Sequence, residues 1–86
     1  MSVDTMKAYV LANTEPGREK LISKALEKVD EISRIHNVYG VYDLIVEVEA
    51  ESMDKVKEII LNKIRRIEYV KNTVTFWTYG EAVINE

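Results

Sequence analysis

The 86-residue chain contains no cysteine and no glutamine, and histidine and proline occur once each. Without thiols it can form neither a disulfide framework nor a thiolate metal site, and one histidine cannot build a multi-histidine centre. Disulfide redox and zinc chemistry drop out. No run approaches the roughly 20 apolar residues needed to cross a bilayer, and no basic N-terminal segment leads into an apolar one, so a cytoplasmic location is expected, with no membrane partner. Basic blocks are missing too. Twelve Lys and Arg stand against 15 Asp and Glu, giving a net charge of -3 without a cluster that could follow a phosphate backbone. Direct nucleic-acid binding is therefore disfavoured.

The length suits one domain, residues 1–86, with one modest core, because chains of this size bury only roughly 60 to 65% of the surface they expose when unfolded. Hydrophobic residues make up 47% and charged residues 31%, a globular balance. Abundant Glu, Lys, Ile and Val without Gln is a balance known from proteins of hyperthermophiles.

Met6 to Asn13 mixes Tyr, Val and Leu with small residues and runs into Thr14-Glu15-Pro16-Gly17, so a first strand ends where a helix starts. Pro16 suits the first helical position, and Leu21, Ile22, Ala25, Leu26 and Val29 recur at helical spacing. Ile32 to Tyr39 reads as a second strand and Val41 to Ala50 as a third, with Tyr42, Leu44, Val46 and Val48 sharing a face. Gly40 between them predicts a tight hairpin in which glycine supplies a positive φ. Ser52 is a good N-cap with Asp54 in the first turn, and Met53, Val56, Ile60, Ile64 and Ile67 form the apolar stripe of a second helix. Tyr69 to Tyr79 is β-branched and aromatic, with Thr73, Thr75, Trp77 and Tyr79 on one side and Val74, Phe76 and Thr78 on the other.

The order βαββαβ is a split βαβ, in which right-handed crossovers place both helices on one face of a four-stranded antiparallel sheet. The expected class is α+β, ferredoxin-like. The other face would carry Ile45, Trp77 and part of the first strand, more apolar area than a small monomer leaves in water. A homodimer of the α+β barrel type, joined through the sheet, is the expected remedy.

The segment Val38-Tyr39-Gly40-Val41-Tyr42-Asp43 gathers a glycine, two tyrosines and a carboxylate at a strand connection, where side chains and backbone groups can converge on a small polar ligand. An amino acid would suit it. Its ammonium needs a carboxylate or carbonyls and its carboxylate needs N–H or hydroxyl donors, which Asp43, the backbone around Gly40, Thr73 and Thr75 could supply. The structural reading stands beside this one: Gly-x-x-Asp is ordinary turn chemistry, and tyrosines and threonines are good strand residues.

Taken in order, these features resemble the effector domain of the Lrp/AsnC (feast/famine) transcription regulators across nearly the whole chain. Thr14-Glu15-Pro16-Gly17 is similar to that family's threonine-x-proline-glycine approach to its first helix. Val38-Tyr39-Gly40-Val41-Tyr42-Asp43-Leu44 resembles its valine-x-glycine-x-tyrosine-aspartate signature, and Val70-Lys71-Asn72-Thr73-Val74-Thr75 its valine and paired threonines. The resemblance implies a non-enzymatic module, of the type called RAM, that binds an amino acid in clefts between dimers and changes assembly on binding. It also implies Gly40, Tyr42 and Asp43 on the hairpin side of the pocket and Thr73 and Thr75 on the last strand, with Tyr39 and Val41 flanking. A homodimer, a tetramer of dimers, or association with full-length regulators of this type would follow. The family's winged helix-turn-helix domain is expected to have no counterpart here, since Met1 to Thr5 leads straight into the first strand.

No catalytic residue, metal ligand or cofactor is assigned. Two other functions stand as alternatives: a small cofactor-free oxygenase or isomerase using His36 with Tyr42 or Tyr9, and a purely structural oligomeriser. A single histidine and the absence of a recognisable acidic pair weigh against the enzyme. Trp77 with Phe76 reads as core or interface, and the Arg65-Arg66 pair as solvated charge favoured by the helix dipole.

Overall fold

Ala8, Val10, Ala12 and Thr14 alternate along strand β1 (Met6–Thr14), and all four are buried on one side of it. Their burial fixes which face of the sheet the helices cover. In the computed structural model, which describes residues 5–78, β1 is followed by α1 (Glu19–Glu27), β2 (Ile32–Asn37), β3 (Leu44–Ala50), α2 (Met53–Ile59) with a π-helical continuation (Ile60–Ile64), and β4 (Val70–Trp77). The four strands form one sheet in the order β2-β3-β1-β4, with every pair antiparallel. This is the expected α+β ferredoxin-like fold.

Register carries the core across the sheet. Ala8, Val10 and Ala12 oppose Val48, Val46 and Leu44 on one side and Trp77, Thr75 and Thr73 on the other. Ile22 and Leu26 of α1, Val29 just beyond its end, and Val56, Ile59, Ile60 and Ile64 of the second helical segment close over them. Leu21 and Met53, expected on the buried stripes, are 53% and 41% exposed instead. Each lies at a helix start, beyond the edge of the sheet-facing arc.

The register also corrects the expected position of Trp77. Opposite Ala8, it lies on the helix side and packs against the core, so Val74 and Phe76, with Tyr9, Leu11 and Ile45, supply the apolar surface of the other face. Tyr79, where the last strand was expected to end, lies outside the described residues.

Two local expectations change. Pro16 does not open the helix. The Arg18 N–H donates to the Glu15 carbonyl at 3.2 Å and Gly17 has φ of 85°, which makes Glu15–Arg18 a type II turn with proline and glycine at its two central positions. The β2–β3 connection is no tight hairpin either, since residues 38–43 separate the strands. Gly40 has no positive φ, and a Cβ added there would meet only the Tyr42 carbonyl oxygen, at 3.6 Å.

Ser52 caps α2 as expected, its hydroxyl accepting the Lys55 N–H at 3.1 Å.

Candidate functional site

Asp43 stands at the mouth of the β1–β3 ladder. Its backbone N–H donates to the Ala12 carbonyl at 3.1 Å, and its own carbonyl accepts the Val38 N–H at 3.0 Å. Two residues further along β1, the Thr14 N–H lies past the end of the β1–β3 register, which closes at Ala12 and Leu44. The Asp43 carboxylate is its partner there, accepting the Thr14 N–H at 3.1 and 3.3 Å and the Thr14 hydroxyl at 3.0 Å. Such charge-assisted bonds are stronger than neutral ones, and Thr14 is 8% exposed, so water competes poorly.

The next residue of β1's extension is tied to the opposite neighbour. The Glu15 N–H donates to the Tyr69 carbonyl at 2.9 Å, and Tyr69 adopts φ of 82° immediately before β4. The Arg18 guanidinium lies 4.7 Å over the Tyr69 ring and its Nε meets Glu15 at 3.2 Å. Thr14-Glu15-Pro16-Gly17 thus joins three strands and turns the chain toward α1.

Beside this junction lies a cleft of 410 Å³ lined by Pro16, Glu19, Asn37, Val38, Tyr39 and Asp43. That volume falls within the roughly 300 to 1,000 Å³ of small-molecule sites. Two carboxylates, Asp43 and Glu19, face it with the Asn37 amide, while neither Lys nor Arg lines it. This set of acceptors suits an ammonium group. A ligand's own carboxylate would have to find backbone N–H groups of the 38–43 connection or groups from a second subunit. Tyr39 and Val41 in that connection are fully and 84% exposed, respectively, surface that a second subunit could cover.

Of the five expected site residues, Asp43 lines the cleft, and Gly40 and half-buried Tyr42 belong to the same connection without lining it. Thr73 and Thr75 lie on β4, opposite Ala12 and Val10, across β1 from Asp43. Within one protomer the two groups are not brought together. Sequence reasoning did not assign Thr14, Glu19 or Asn37. Thr14 was within reach, being part of a motif already singled out, whereas nothing in the sequence marks Glu19 or Asn37.

A second polar cluster occupies the uncovered face. Glu47 is 6% exposed, with Lys7 Nζ at 2.9 Å, the Tyr9 hydroxyl at 3.4 Å and Arg34 Nε at 3.5 Å. The bond from Lys7 holds the Glu47 carboxyl below the usual carboxylate range, against the opposing effect of burial, and Arg34 and Tyr9 add to the lowering. The same bond raises the Lys7 ammonium. His36 lies opposite Ile45 in the β2–β3 ladder, two strands from β1, and Tyr9 gives its hydroxyl to Glu47.

Among the described residues no three His, Asp or Glu side chains come together as a metal site, and no helix is long and apolar enough to cross a membrane.

The family model for the Lrp/AsnC ligand binding domain matches residues 7–85. An uncharacterized HTH-type transcriptional regulator of Pyrococcus furiosus is 28% identical over 75 residues, which cover 84% of this chain and 50% of that protein. The chain thus spans about half the length of the curated relatives it matches. The crystal structure of FFRP-DM1 superposes with a TM-score of 0.81 at 31% identity, covering 86% of this chain and 99% of that one. A transcriptional regulator of Neisseria meningitidis, solved as a complex with L-Met, gives a TM-score of 0.83 at 11% identity over 92% of this chain and 53% of its own, a likeness of fold. Relatives from the thermophilic genus Pyrococcus agree with the composition rich in Glu, Lys, Ile and Val.

Proposed function

Because this chain belongs to the Lrp/AsnC ligand-binding domain family, we propose that it serves transcription regulation as an amino-acid-sensing and assembly module without catalytic activity. The observation that carries the reading is the Asp43 cleft: two carboxylates and an amide at a mouth the size of a small metabolite, with no cation to neutralise them. The ligand ammonium sits between Asp43 and Glu19. Gly40 and Tyr42 shape the connection above it, and Thr73 and Thr75 of a neighbouring subunit supply donors to the ligand carboxylate. That division follows from their separation within one protomer.

The sheet face bearing Tyr9, Leu11, Ile45, Val74 and Phe76 pairs with the same face of a second copy. Phe76 is 55% exposed and Tyr9 36%, surface that self-association removes from water. Ligand occupancy then biases how dimers join, either as a tetramer of dimers or with full-length regulators of the family. The action is cytoplasmic.

Thermal unfolding with each of the twenty amino acids at millimolar concentration tests this, with assembly followed by light scattering. Ligand at about 100 times its dissociation constant stabilises by roughly 2.7 kcal/mol. A response by one or a few amino acids that Asp43→Asn removes supports the sensor. If no amino acid shifts the midpoint while dimers or larger rings still form, the module is a structural oligomeriser.

A further inference from the structure

The second helix does not keep an α-helical rhythm. Over Ile60–Ile64 it widens into a π-helical turn, closed by the Arg65 N–H donating to the Ile60 carbonyl at 2.8 Å. In an unbroken α-helix Lys57 and Arg65 would project roughly 80° apart, since eight steps of about 100° overshoot two turns by that amount. The residue absorbed by the wide turn brings Arg65 back to about the i+7 position of Lys57, and the two cations share one side of the helix.

They share it above a groove. Lys57, Ile60, Leu61 and Arg65 form one wall, and Thr75 and Trp77 on the helix side of β4 form the other, enclosing 240 Å³. Of the 12 Lys and Arg, four (Lys7, Arg18, Arg34 and Lys55) pair with a carboxylate, and Lys57 and Arg65 belong to the remaining eight, which have no such pair among the described residues. Leu61 remains 52% exposed at the rim, and half-buried Trp77 is the sole tryptophan. Two cations, a hydroxyl and an indole therefore converge where the helix departs from regular geometry. Such wide turns are frequent at functional sites.

We propose that this groove binds a small aromatic carboxylate. A single ring packs against Trp77 and Leu61, while the acid group bridges Lys57 and Arg65, with the Thr75 hydroxyl as a further donor. A guanidinium presents paired N–H groups that match a carboxylate, and offset stacking on indole favours a planar ring. Size sets the limit: the groove is smaller than the roughly 300 Å³ at which sites for drug-sized ligands begin, so it takes one ring and its acid. A bare anion would leave Trp77 and Leu61 unused. The proposal goes beyond the amino-acid cleft, on the opposite side of β1, and shares only Thr75 with it.

Because Trp77 is the sole tryptophan, its fluorescence reads the groove directly. Titration with phenylacetate, excited at the indole edge, is expected to give a saturable change that neutral phenylacetamide and ringless acetate do not reproduce. Lys57→Gln with Arg65→Gln, both at exposed positions, is expected to weaken phenylacetate binding at least tenfold while leaving the melting transition in place. Asp43→Asn is expected to leave it unchanged, which separates this site from the amino-acid cleft. The proposal is overturned by an absent or non-saturating response, an equal response to phenylacetamide or acetate, or undiminished binding by the double variant.

Discussion

The Asp43 carboxylate, outside β3, replaces the missing strand residue that would have paired with Thr14, taking both the backbone N–H at 3.1 Å and the side-chain hydroxyl at 3.0 Å. One side chain therefore ends a ladder and lines a cleft. Two substitutions separate these roles. Asp43→Ala strands two donors of a buried threonine and is expected to cost about 1 to 3 kcal/mol in urea unfolding. Asp43→Asn keeps an acceptor for Thr14 and is expected to cost less, yet to lose the response to amino acid as fully as alanine does. An asparagine variant that retains the response would remove the carboxylate from the ligand site.

Glu47 makes stability depend on acid. Its folded-state carboxyl lies below the usual range, so its contribution is complete above the unfolded value and fades as pH falls through the folded one. Lys7 is raised, so its contribution is complete below the ordinary lysine range and fades only as pH rises through the folded value. Both contributions are therefore intact at neutral pH. Glu47→Gln is expected to flatten the acid limb of a stability-versus-pH profile measured by chemical denaturation. An unchanged limb would assign acid sensitivity to other carboxylates.

Phe76→Glu puts a charge on the uncovered sheet face at a position already 55% exposed, so the protomer is expected to keep its fold. Its self-association should fail. Sedimentation equilibrium beside the unchanged protein checks this, and a full dimer from the variant would move the interface elsewhere.

Gly17→Ala isolates a backbone effect. A Cβ at Gly17 meets nothing within 4 Å, so the cost arises from φ of 85° alone. About 1 to 2 kcal/mol of destabilisation is expected in urea unfolding.

The elements were legible where residues carry a period or a terminus signal. Leu44, Val46 and Val48 alternate, Ile22, Leu26 and Val29 repeat at helical spacing, and Ser52 announces a cap. Period tells two faces of a strand apart without saying which one the helices cover. The expected face of Trp77 is therefore the wrong one: its side is set by pairing with Ala8, near the other end of the described residues. The π-helical turn leaves no local mark, since Ile60, Leu61 and Ile64 fit an ordinary helix equally well. Asp43 was legible as a candidate, while its bond to Thr14 was not, because a contact across 29 positions has no signature in either segment.

The sheet order also dictates when the protein can fold. β1, the first of the described strands in sequence, sits inside the sheet between β3 and β4, and its pairing of Ala8 with Trp77 joins nearly the two ends of the described chain. A nascent chain therefore holds its future central strand unpaired on one edge until almost the last described residue has emerged. Loops that long must close before their contacts repay the entropy, which favours late, all-or-none folding over stepwise growth from the N-terminus. During that interval the exposed strand is open to any passing β-edge, including that of another nascent copy.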